Sequence, residues 1–269
     1  MRRRVVLAAM IMSVGFLAIY GLGLHFGQAA MSSQSTQSGF TELMAREVGA
    51  QLLYVGLFPA SFLIALTAVF AAAGTISSEL DSGVIYGVLA RPIRRGELVV
   101  GKAAGLGAML AIFALLLNGV IIVLAQWLIG APVLSTWPAA IALLVLEPMP
   151  LLALALLGST RLPTLANGVL CIAAYGIAFV GGLIEAIGGL FQNATMGNIG
   201  IISSLLMPLD ALHRKALSLL LPQGLLFQQG GPPGMGGSAV PSATMVAYSV
   251  AYVLVMLALA ARVFRRRDL

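Results

Sequence analysis

Ser77 to Lys102 reads SSELDSGVIYGVLARPIRRGELVVGK and is the one polar, charged interlude in an otherwise apolar first half of the chain. It holds Glu79, Asp81, Arg91, Arg94, Arg95, Glu97 and Lys102, seven of the chain's 24 charged side chains (15 Lys and Arg, 9 Asp and Glu). Ser78, with Asp81 three residues on, is a weak capping box, and acids in a first turn suit the positive end of a helix dipole. Pro92 ends the predicted helix, because its ring pushes Arg91 out of the helical region. Ile85, Val88 and Leu89 share one face of that helix, with Pro92 a turn further on. The segment therefore offers an apolar side to a docking protein. The basic cluster Arg91, Arg94 and Arg95 follows at once.

Outward from this stretch the composition decides the class. Sixty per cent of the 269 residues are hydrophobic, nine per cent are charged, and the mean hydropathy is +1.02. Those values exclude a soluble domain and point to an all-α integral membrane protein, with each backbone polar group satisfied inside its own helix. Apolar runs of about 20 residues place six spans near 5–24, 52–76, 103–128, 138–158, 164–187 and 243–263, in a single transmembrane domain over 1–269. The basic start Arg2-Arg3-Arg4 followed by an apolar run has the pattern of a signal peptide, but the run is long for one and fits a retained span better. With both ends inside, the inner segments hold twelve of the fifteen basic residues, leaving Arg46, Arg214 and Lys215 outside. That asymmetry sets the orientation and puts 77–102 in the cytoplasm. The net charge of +6 follows the same topology and does not form a nucleic-acid face. Cys171 is the single cysteine, so no intramolecular disulfide forms.

Set between two apolar spans, the ordered residues Glu79, Ser82-Gly83, Leu89, Arg91-Pro92-Ile93-Arg94-Arg95 and Gly101-Lys102 resemble the first cytoplasmic loop of ATP-binding-cassette type 2 permeases. The span layout and the ending Arg265-Arg266-Arg267-Asp268-Leu269 agree with it. The resemblance implies that this loop is a coupling helix pressed by a separate ABC ATPase. Its contact residues would be Glu79, Asp81, Ser82, Gly83, Ile85, Leu89, Arg91, Pro92, Arg94 and Arg95. It implies further a second permease copy, identical or paralogous, and a prokaryotic inner membrane. An outer re-entrant element would lie between spans five and six, within 188–242. ATP and magnesium would sit in the partner, and this chain would bind no cofactor. The run Gly96-Glu97-Leu98-Val99-Val100-Gly101-Lys102-Ala103 nearly spells a phosphate-binding loop. It fails chemically, because Ala103 stands where a hydroxyl would hold magnesium and no apolar strand precedes Gly96.

Two further regions carry expectations. In 188–242, Leu209, Leu212, Ala216 and Leu219 form one stripe, which predicts an interfacial or re-entrant helix, followed by a flexible Gly- and Pro-rich link. In the fourth span, Glu147-Pro148-Met149-Pro150 places a carboxylate near the bilayer centre at a cost of about 2.5–3.5 kcal/mol. Two readings offset that cost. Glu147 faces a translocation path opened by Pro148, with Asn118 and Glu185 along it. Alternatively it is protonated, or hydrogen-bonded to Asn118 or to backbone groups freed by the prolines. Glu185, near the end of its span, reads as reaching the interface, and His25 and His213 read as polar interface residues with no metal role. An ion- or proton-coupled secondary transporter using Glu147 is the other functional class, although no internal repeat supports it. A membrane anchor without transport is the third.

Overall fold

The computed structural model describes residues 2–35, 42–81, 95–221 and 241–266. Ten helices occur among them, and no strand. They are α1 (Arg2–Ser35), α2 (Glu42–Ala72), α3 (Ser77–Asp81), α4 (Arg95–Ile129), α5 (Trp137–Leu146), α6 (Met149–Ser159), α7 (Thr164–Leu190), α8 (Ala194–Leu206), α9 (Leu209–Leu220) and α10 (Ala243–Arg265). Six segments are long and apolar enough to cross a membrane, with α5 and α6 counted as one.

The spacing of buried residues explains the pairing of α2 with α4. On α2, Leu53, Leu57, Ala60, Ile64, Ala68 and Ala72 are buried, and on α4 so are Val99, Ala103, Leu106, Leu110, Ala114, Leu117, Ile121 and Ala125. Both series step by three and four residues, which keeps them on one helical stripe. Between helices in lipid there is no hydrophobic driving force, so close packing must hold them. The alanines in each stripe let the backbones approach. The outward faces are apolar too: Met10, Ile11, Val14 and Ile19 on α1 and Ile112, Leu116 and Val123 on α4 are exposed, as lipid contact requires.

Helix limits differ from the hydropathy estimates where a polar group is held by the helix. The first helix runs on to Ser35 and the second starts at Glu42, so most of the polar stretch expected between spans is helical. The helix of the third span, α4, begins at Arg95, well before residue 103, which puts Gly96–Lys102 in regular helix. A phosphate loop needs irregular backbone there, so the near-match has no phosphate cradle. The fourth span is broken. Pro148 and Pro150 lack the N–H groups that would bond to the carbonyls of Leu144 and Leu146, and the chain turns at 147–148 between α5 and α6.

Between α7 and α10 the chain forms two short helices bent by 104° at Met207-Pro208. Asn193 caps α8, its Oδ1 accepting from the N–H groups of Thr195 and Met196. Then α9 packs against α5 and α7. Its far end is fixed to the 130–136 turn by the Leu134 N–H donating to the Leu220 carbonyl at 2.9 Å and by Thr136 donating to Leu219. Leu209, Leu212, His213, Ala216 and Leu217 are buried together. The stripe expected on α9 is thus the face that packs into the bundle, and His213 is buried with it.

Candidate functional site

Two polar regions are built on this frame, one beside the middle of α2 and one at its C-terminal end. At the base, the turn that follows α2 is fastened on three sides. Asn167, buried on α7, donates from Nδ2 to the carbonyls of Ala73 (2.9 Å) and Ala155 (2.7 Å), joining α2, α6 and α7 through one side chain. The Ser77 and Thr164 hydroxyls meet at 3.0 Å. Lys102 of α4 donates to the Thr75 carbonyl at 2.8 Å and pairs with Glu79 of α3. An apolar knot of Ile76, Val99, Ala260 and Phe264, all fully buried, lies beside them and brings in α10. Lys102 keeps 15% of its side chain exposed and Glu79 29%, so this ion pair is only partly screened by solvent.

Among the residues expected to contact an ATPase, Glu79 lies on α3, Asp81 closes that helix and Arg95 opens α4. Ser82, Gly83, Ile85, Leu89, Arg91, Pro92 and Arg94 lie outside the described residues. The described parts are the two arms of the loop. Lys102 ties one arm to the other.

The second region is buried and charged. Ser61 of α2, Glu147 at the α5–α6 break, Glu185 of α7 and Asp210, His213 and Arg214 of α9 converge. Arg214 donates through both terminal nitrogens to Glu185, at 2.8 and 2.7 Å. This is the two-pronged fit of a guanidinium to a carboxylate. Its Nε lies 2.8 Å from Asp210 Oδ2, one helical turn back. His213 Nδ1 lies 3.2 Å from Glu147 Oε2 and 2.9 Å from Ser61 Oγ, and Ser61 also donates to Glu147 at 3.3 Å. Glu147 and His213 are each 6% exposed.

Close backbone approach makes room for the acids. A Cβ on Gly182 would run into the Asp210 carboxyl group, and one on Gly200 would run into Glu185. Glycine at these positions lets α7 lie against α8 and α9 with the carboxylates between them.

A cavity of about 30 Å³ opens here, walled by Phe58, Ser61, Glu147, Tyr175, Asp210 and His213. A second, of about 20 Å³, continues beside Gly182 and Arg214.

The structure separates residues that the sequence grouped. Asn118 is buried but donates to the Ala114 carbonyl one turn back at 2.9 Å, so Ser61 and His213 are the partners found for Glu147. Pro148 forms the start of α6 beside it. Glu185 does not reach an aqueous interface, since its side chain is 14% exposed and held by Arg214. His213 is a buried partner of Glu147, not an interface residue. Asp210, His213 and Arg214 stand at positions i, i+3 and i+4, one face of a helix. That spacing, set beside two acids within spans that both needed partners, was the signal available in the sequence.

A family model for ABC-2 family transporter proteins matches the chain over residues 1–269. The chain belongs to the ABC-2 transporter family. As a member it is a multi-pass permease subunit, and the family in general works with an ABC ATPase partner. No curated protein matches this ABC-2 protein. Within it, α2 runs from the charged region to the fastened base. From Ser61 to Ala72 is eleven residue steps, or about 16 Å of continuous helix.

Proposed function

We propose that this ABC-2 protein is the membrane half of an exporter, driven by a separate ATPase that holds ATP and magnesium and docks on residues 77–102 from the cytoplasm. The family match over the whole chain carries this reading. The distribution of basic residues supports an orientation with both ends and that loop inside, in a prokaryotic inner membrane. The protein works beside a second copy of itself or a paralogue.

The fastened base supports a mechanical role. Force applied to the loop reaches α3 and α4 as one body, because Lys102 joins them, and passes through Asn167 and Thr164 to α6 and α7. It reaches the interior along α2, whose Ser61 contacts both Glu147 and His213. ATP-driven closure of two ATPases then shifts α2 against the broken fourth span, and the interior region exchanges inward for outward access. The weak point for that motion is the α5–α6 break, where two backbone hydrogen bonds are missing.

Co-purification of the tagged chain with its ATPase tests the proposal, comparing wild type with Glu79→Arg and Arg95→Glu. The wild type retains the ATPase, and the charge reversals lose it or lose its stimulation by the permease. An ATPase that fails to associate even with the wild type would refute the reading.

A further inference from the structure

We propose that the cavity between Glu147 and Asp210 binds the primary ammonium end of a small cationic ligand. The charges of the region do not balance. Three carboxylates, Glu147, Glu185 and Asp210, face one guanidinium and one imidazole, and Arg214 commits its fork to Glu185. With His213 neutral the described cluster carries a net charge of two negatives, and with His213 protonated one. A surplus carboxylate away from water is costly unless a cation or a proton neutralises it.

The cavity supplies what an ammonium group requires. Glu147 and Asp210 stand on its walls as acceptors, and Phe58, Tyr175 and Phe179 bring aromatic rings to the same space. Ring faces attract a desolvated cation, adding to the pull of the acids. His213 adds a polar lining residue that holds Glu147 in place. With its Nδ1–H directed to Glu147, Nε2 carries a lone pair, and Nε2 has no hydrogen-bond partner among the described residues although the ring is buried. Nε2 lies on the ring edge opposite Nδ1, so an ammonium held by Glu147 takes its second acceptor from Asp210 on the same cavity wall.

Size and donor set narrow the ligand. A space of about 30 Å³ has room for a terminal ammonium, and a bulkier quaternary group fits it less well. No three His, Cys, Asp or Glu side chains converge as metal ligands among the described residues. A hydrogen-bonding cation fits the region better than a coordinated metal. This binding needs no ATPase, so it stands or falls separately from the exporter reading.

Equilibrium binding of radiolabelled methylammonium to the full chain in lipid nanodiscs tests the proposal. Binding is expected to be saturable, displaced by ethylammonium and not by equal tetramethylammonium. It should weaken about thirtyfold or more in Glu147→Gln, as for removal of one member of a buried charge pair. Glu147→Asp keeps the charge and is expected to keep weaker binding, which decides the matter if Glu147→Gln fails to fold. Absence of saturable binding to the wild type, equal displacement by tetramethylammonium, or binding unchanged in both variants would overturn the proposal. So would full stabilisation of the chain by acid alone with no effect of the amine, which would make the region a proton site.

Discussion

The two polar regions on α2 are built from opposite materials. At the base, a neutral amide, two hydroxyls and backbone carbonyls do the fastening, with a single partly exposed ion pair at the edge. In the interior, three carboxylates, a guanidinium and an imidazole crowd into a space with aromatic walls. Neutral hydrogen bonds hold helices in place at little desolvation cost, whereas buried charges are expensive and need partners of opposite charge. The base reads as a joint. The interior, on the proposed ammonium binding, is a receptor.

Substitutions should separate the two regions by size of effect. Arg214→Ala strips the partner from both Glu185 and Asp210 and is expected to cost about 3–5 kcal/mol, seen as a large drop in the melting temperature of the purified protein. Arg214→Lys, which keeps the charge and loses the fork, should recover only part of it. Gly182→Ala drives a methyl group into the Asp210 carboxyl and should cost about 1–3 kcal/mol. If that substitution is silent, α9 does not lie as tightly on α7 as described.

Asn167→Leu leaves the Ala73 and Ala155 carbonyls without their donor in a buried setting, with an expected cost of about 1–3 kcal/mol. Its thermal effect should therefore equal or fall below that of Arg214→Ala. An Asn167 effect larger than the Arg214 effect would reverse the comparison and make the base the costlier region. A smaller change, about 0.5–1.5 kcal/mol, is expected for Lys102→Ala, which loses a partly solvated ion pair and one hydrogen bond to the Thr75 carbonyl. That variant should nevertheless uncouple the ATPase from the permease. A Lys102 variant with normal coupling would show that the two arms move independently.

The bundle was legible because lipid imposes a simple rule: about 20 apolar residues per crossing, with basic residues on one side. Six spans followed from that rule, and Pro148 and Pro150 marked the fourth as irregular. Helix ends were less legible, since α1 and α4 carry their helices through polar residues such as Gln28 and Glu97 that hydropathy assigns to loops. The charged interior was half visible. Glu147 stood out by its cost, yet its partners Ser61 and His213 lie 86 and 66 residues away. A contact over that separation depends on how α9 folds back at Met207-Pro208, and the apolar stripe of α9 suggested only an interfacial or re-entrant helix. The base was invisible for another reason. Asn167 and Thr164 bond mostly to backbone and hydroxyl groups, and no pattern of residue types announces such bonds.

The most direct test of the central claim is photo-crosslinking from the coupling loop. A photoreactive residue placed at Ile85, in a chain co-expressed with its ATPase, is predicted to capture the ATPase subunit. The same probe at Gln223, between α9 and α10, is predicted to capture none. Capture at Gln223, or no ATPase adduct at Ile85, would contradict the account.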